Sequence, residues 1–182
     1  EHRVNHLESA EQAYLQVLET QPNHPEALYG LGMLSQQIGK LQQGEEFLSL
    51  AVQEQPNSAK NWFALGNLYQ LQNKLQNAED AYRKTIVLRS DAAPIYNNLG
   101  YTLEQQGKWK EAIKYYKKAL EVQPNCIEAE VNLGNILHTQ SRLSSDKQSY
   151  YAKLNYKLAL SRKKVRDFQN AEIYLKKALK LK

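Results

Sequence analysis

Four asparagines in the middle of the sequence, Asn67, Asn98, Asn132 and Asn135, carry side-chain amides that donate and accept hydrogen bonds at once. Two readings compete: the amides keep a solvated helix face polar, or they pair with a peptide backbone, whose N–H and C=O groups need both kinds of partner whatever the sequence. Tyr29, Phe63 and Tyr101, interleaved with the amides, offer large and stiff contact surfaces. The chemistry predicted is recognition without bond making. No glycine-rich phosphate loop, no His-Glu-x-x-His and no serine or cysteine in a nucleophile motif occurs. The acidic neighbours Glu45-Glu46 and Glu79-Asp80 are expected on outer, solvated helix faces. His2 and His6 have the i,i+4 spacing of ligands on one helix face but no third ligand near them, so no metal site is expected. The single cysteine, Cys126, excludes an internal disulfide and a multi-thiolate site and is expected to fill a small apolar gap. Neither catalysis nor a cofactor is expected.

A chain of 182 residues, 42% apolar and 24% charged, fits one domain of ordinary composition. Apolar runs are only a few residues long, far short of the roughly 18 that cross a bilayer, and no basic-then-apolar leader opens the sequence. The expectation is a cytoplasmic protein without membrane contact. Glu1 falls inside a repeat, which leaves room for a preceding segment or a neighbouring domain.

The net charge of +5 is uneven. Residues 1–141 hold 12 basic against 16 acidic side chains, whereas residues 142–182 hold 12 against 3. In the last quarter Arg162-Lys163-Lys164-Val165-Arg166 and six further lysines lie among Tyr150, Tyr151 and Tyr156. Such interleaving could hold phosphates and stack bases or meet an acidic protein. A solvated end cap, which stacked repeats require, is the preferred reading, and nucleic acid is disfavoured.

The elements that position the amides follow from a period. Leu-Gly pairs stand at 31–32, 65–66, 99–100 and 133–134, each 34 residues after the last. With glycine at position 8, repeats begin at 25, 59, 93 and 127 and a partial one precedes them. Position 20 is then Ala10, Gly44, Ala78 and Ala112, all small; position 24 is Tyr14, Leu48, Tyr82 and Tyr116. Position 27 is Val17, Ala51, Thr85 and Ala119, and position 32 is proline at 22, 56 and 124 but Ser90 in the remaining repeat. Within 93–106, Tyr96, Leu99 and Leu103 recur at helical spacing, Pro94 suits a first turn, and Gly107 can take the left-handed conformation that ends a helix. Trp109, Ala112, Ile113, Tyr116, Ala119 and Leu120 mark a second helix, stopped by Pro124. The same scheme predicts helices over 25–38, 41–54, 59–72 and 75–88, with Asn73 taking the left-handed turn position, and a helix over 3–20. Small residues at positions 8 and 20 let the two axes of a pair approach closely, and stacking on the next pair supplies the core.

This grammar resembles the tetratricopeptide repeat (TPR) family, closely over residues 3–140 and loosely beyond. The resemblance implies an all-α, right-handed superhelix, an α-solenoid of antiparallel helix pairs. The expected organisation is a single array: 1–24 partial, 25–58, 59–92 and 93–126 complete, 127–151 atypical and 152–182 a final repeat or cap. After residue 140 position 20 would be Asp146, and one long helix over 147–165 is expected, turning near Arg166-Asp167-Phe168.

In TPR proteins the face of the first helix opposite its core positions lines a groove for an extended or helical peptide. Carried over position by position, that face holds Tyr29, Phe63 and Asn97 at position 5; Met33, Asn67, Tyr101 and Asn135 at position 9; and Gln70 and His138 at position 12. Asn98 and Asn132 stand at the adjoining position 6. The amide ladder is similar to those of O-linked N-acetylglucosamine transferase and kinesin light chain. It departs from the co-chaperone type, whose carboxylate clamp needs lysine and arginine where this chain offers little beyond Lys60. The implied function is a non-catalytic interaction scaffold for a protein or peptide. The alternatives are nucleic-acid or acidic-partner binding through the basic C-terminal region, or the interaction module of a larger enzyme. Self-association through terminal helices is a further partner reading.

Overall fold

A computed structural model describes residues 2–139 together with residues 149, 152, 153, 155, 156, 160, 176 and 177. Among them are eight helices: α1 (His2–Thr20), α2 (Pro25–Gln37), α3 (Leu41–Glu54), α4 (Ala59–Leu71), α5 (Leu75–Leu88), α6 (Ala93–Gln105), α7 (Trp109–Val122) and α8 (Ile127–Thr139). No strand occurs among the described residues, and no helix there is long and apolar enough to cross a membrane. The chain divides into two compact units, Glu1–Ser90 and Asp91–Lys182.

Three-residue turns fold α2 onto α3, α4 onto α5, and α6 onto α7. Each turn is built alike. Gly39, Asn73 and Gly107 adopt φ of 81°, 58° and 75°, the left-handed region. In the first, Lys40 N–H donates to Ser35 O (2.8 Å) and Gly39 N–H to Gln36 O (3.2 Å). The pair recurs as Lys74 to Tyr69 and Asn73 to Gln70, then as Lys108 to Leu103 and Gly107 to Glu104. These are Schellman closures, which satisfy helix-end carbonyls that would otherwise be orphaned. Asparagine serves where glycine is absent because its short polar side chain tolerates that conformation.

Within each pair the expected close approach is present. A Cβ added to Gly66 would lie 2.8 Å from the Tyr82 ring, and one on Gly100 would lie 2.8 Å from the Tyr116 ring. In the first full repeat a Cβ on Gly32 would meet Leu48 at 2.5 Å, while Gly44 lies against the Gly32 backbone. Ala78 and Ala112 are buried. Unit 1 joins its repeats through a core of Leu48, Val52, Ala64, Leu65 and Leu68. Polar ties add to it: Asn61 Nδ2 donates to Ala51 O (3.1 Å), Gln72 Nε2 to Leu41 O (3.0 Å) and Lys74 Nζ to Glu45 (2.5 Å).

Two expected surface positions are corrected. Glu45 keeps only 18% of its side chain exposed and pairs with Lys74. Glu79 is 4% exposed, not solvated, and accepts from Arg83 Nη2 at 2.7 Å, a helical i,i+4 pair. A buried carboxylate needs such a charge-assisted partner. The expected long helix and its turn at 166–168 lie outside the described residues, except that 149, 152, 153, 155, 156 and 160 are helical. The basic run 162–166 and the side chains of His2 and His6 also lie outside them.

Candidate functional site

In unit 1 the faces of α2 and α4 expected to be open meet α1 around a cleft of about 600 Å³. Tyr29 and Met33 of α2 form its floor, each half-buried against the Leu48–Leu68 core. Tyr14 from α1 and Leu71 from the end of α4 are its walls. Gly30 lies at the base because the Tyr14 ring rests on it: a Cβ there would be 2.4 Å from the ring. Lys60 Nζ stands 3.7 Å above the centroid of Tyr29, an attraction between a cation and the negative face of the ring. Burial pushes the Tyr29 hydroxyl above its ordinary pKa.

Further along the same helix face, Phe63 tilts against Tyr82 with ring centroids 5.9 Å apart. The Tyr82 hydroxyl donates to Asn67 Oδ1 (2.8 Å) and lies 3.3 Å from Gln70 Oε1. The carbonyl ends of these two amides are thus engaged by their own repeat. In unit 2 the corresponding tyrosine, Tyr116, donates to Glu104 Oε2 at 2.6 Å.

Unit 2 holds a run of amides. Asn132 Nδ2 of α8 donates to Asn97 Oδ1 of α6 (3.1 Å), and Asn97 Nδ2 approaches Asn98 Oδ1 at 3.4 Å. Asn155 Nδ2 donates to Asn135 Oδ1 at 3.0 Å. Asn97, Asn98, Tyr101, Asn135 and His138 are half-buried, whereas Asn132 is 2% exposed. Asn132, expected on the open face, is therefore a bracket between α6 and α8. Asn132 reaches from α8 to α6, and a Cβ added at Gly30, the same repeat position in unit 1, would meet the Tyr14 ring of α1. No described donor reaches Asn132 Oδ1, and no described acceptor reaches Asn135 Nδ2.

Electrostatics mark the same face. Burial, with the nearby Glu104 charge, holds the Tyr101 hydroxyl above its ordinary pKa. Burial lowers the Lys177 ammonium, and the Glu104 carboxylate pulls it partly back. Cys126 is buried and its thiol is raised, mainly by desolvation. Among the described residues no group of three His, Cys, Asp or Glu side chains is placed to hold a metal.

Sequence reasoning missed Tyr14 and Leu71 as neighbours of the unit 1 cleft and Asn155 as a partner of the unit 2 amides. Asn155 follows the stretch where the 34-residue register breaks. Tyr14 sits at position 24, which in later repeats is core; it lines a cleft here because it belongs to α1, which precedes the first complete pair.

Comparison with known proteins agrees with this architecture. Tetratricopeptide-repeat models match residues 5–68, 59–90, 93–126 and 152–182. No curated protein matches the sequence. The crystal structure of MamA is similar, with TM-score 0.73 and 25% identity over 99% of this chain and 91% of that one. YrrB, described as a TPR protein with an unusual peptide-binding site, gives TM-score 0.69 and 18% identity over 94% and 93%. The Thermobaculum terrenum O-GlcNAc transferase gives TM-score 0.64 and 22% identity over 75% of this chain and 26% of that one. With its 34-residue period, left-handed turns, small-residue helix contacts and four matched spans, the chain belongs to the tetratricopeptide repeat family.

Proposed function

We propose that the chain is a non-catalytic interaction scaffold that takes an extended or helical peptide on the half-open faces of its first helices. In unit 1 the contacts are Tyr29 and Met33 at the cleft, with Phe63, Asn67 and Gln70 beside them. In unit 2 they are Asn97, Asn98, Tyr101, Asn135 and His138, and Asn132 acts indirectly by fixing Asn97. The observation that carries the reading is the cleft: about 600 Å³ lined by residues of the predicted face, within the range of ligand sites, roughly 300–1,000 Å³. The unit 2 amides support it, because a half-buried asparagine held by one partner keeps capacity for a backbone group.

The test is calorimetry with a peptide chosen from a random display library. The Asn97→Ala, Asn98→Ala double variant is expected to weaken binding about tenfold, the loss of two hydrogen bonds worth about 0.5–1.5 kcal/mol each. Unchanged affinity would contradict the amide contacts. The rival reading, nucleic acid on the basic C-terminal quarter, predicts binding to random oligonucleotides that is strongest at low salt; none is expected.

A further inference from the structure

The unit 1 cleft joins an apolar floor to a single positioned cation. Tyr29 and Met33 are half-buried, and Leu71 at the wall is 58% exposed, a large apolar side chain left in water. Gly30 contributes no side chain, so the depth of the cleft depends on the Tyr14 ring staying flat upon it. Above the floor, Lys60 Nζ rests on the Tyr29 ring at 3.7 Å. Among the described residues Lys60 makes no hydrogen bond and no ion pair. With the ammonium held over the ring, an anion that meets it there finds a cation already in place. Glu26, the acid on the same rim, has a partner: Gln55 Nε2 donates to it at 3.3 Å. Lys60 acts on Glu26 only through space, lowering its pKa behind the larger effects of a backbone and a Gln55 hydrogen bond.

We propose that this cleft is a side-chain pocket for a peptide in which a bulky apolar residue stands next to an acidic one. The apolar side chain lies on Tyr29, Met33 and Leu71, and the neighbouring carboxylate reaches Lys60. The proposal rests on the peptide-scaffold reading above and adds the ligand's chemistry.

The test selects 12-residue peptides from a random display library on the full chain. One selected peptide is then made acetylated and amidated, without terminal charges, and measured by calorimetry. Lys60 and Leu71 are exposed, so Lys60→Glu and Leu71→Ser should keep the helical circular dichroism and the melting temperature. Enriched peptides should place Asp or Glu beside Leu, Phe or Met. Lys60→Glu should weaken the selected peptide about tenfold, as reversal of one rim charge can, and should bind a copy with Lys in place of its acid more tightly. Leu71→Ser should weaken both. If peptides are selected and bind, but both variants bind them as the parent does, the pocket assignment falls while the scaffold reading stands. Enrichment of basic residues beside the apolar one overturns the assignment as well. If the library yields no binder, both fall.

Discussion

Gly100 and Gly107 stand seven positions apart and are needed for different reasons. A methyl on Gly100 would enter the Tyr116 ring at 2.8 Å, whereas one on Gly107 would meet nothing within 4 Å but would hold an L-residue at φ 75°. Gly100→Ala should therefore lose about 1–3 kcal/mol by overpacking, and Gly107→Ala about 1–2 kcal/mol by backbone strain, both measured by urea unfolding. Shortening the ring to Tyr116→Ala in the same chain should remove the Gly100→Ala increment and leave the Gly107→Ala one. Tyr101 gives a pH signature. Its folded pKa is raised from 10.0, first by burial and then by Glu104, so folding favours the neutral phenol. Its contribution is complete below the unfolded value and is lost as pH rises through the folded one. Stability should fall above about pH 10, less steeply in Tyr101→Phe; an unchanged slope would contradict the burial. Gly100 and Gly107 could be read from the sequence because the period names their positions. The burial of Glu79 could not, since it depends on what covers that flank of α5, and only Arg83 four residues on hinted at a partner.

Helices α6 and α8 are joined by an amide bridge where unit 1 has a glycine under a ring. Asn132→Ala should destabilise by about 1 kcal/mol, the usual net worth of one hydrogen bond, and not more, since its own Oδ1 meets no described donor. Asn132→Asp replaces the donor with a carboxylate facing Asn97 Oδ1 in a buried site. It should cost more at pH 7 than the alanine variant and recover toward pH 4, because burial raises an Asp pKa and the penalty grows with ionisation. Thermal melts at the two pH values decide it; a pH-independent Asp variant would place that side chain in water. The helix that carries Asn132, and its place within the repeat, follow from the 34-residue period. Its inward direction was not legible, because position 6 lies at the border of the face, where a few degrees of rotation separate a groove residue from an inter-repeat contact.

Across the chain the period fixed every complete helix pair to within a residue or two: predicted 25–38 and 41–54 became Pro25–Gln37 and Leu41–Glu54. Such legibility comes from redundancy, since the same packing problem is solved at each repeat with the same small residues and the same left-handed turn. Ligand chemistry is not redundant. It resides in side chains that differ from repeat to repeat, apolar at Tyr29 and Met33 in unit 1 and amide at Asn97 and Asn98 in unit 2, and periodicity carries no information about those differences. The most direct measurement is therefore site-resolved: titration of the full ¹⁵N-labelled chain with a display-selected peptide, followed through its backbone amide signals. Shifts concentrated on α2, α4, α6 and α8 around Tyr29, Met33, Asn98 and Asn135, with α3, α5 and α7 little changed, are the predicted result. Shifts concentrated instead on the outer residues of α3, α5 and α7, such as Leu50, Val87 and Trp109, would contradict it.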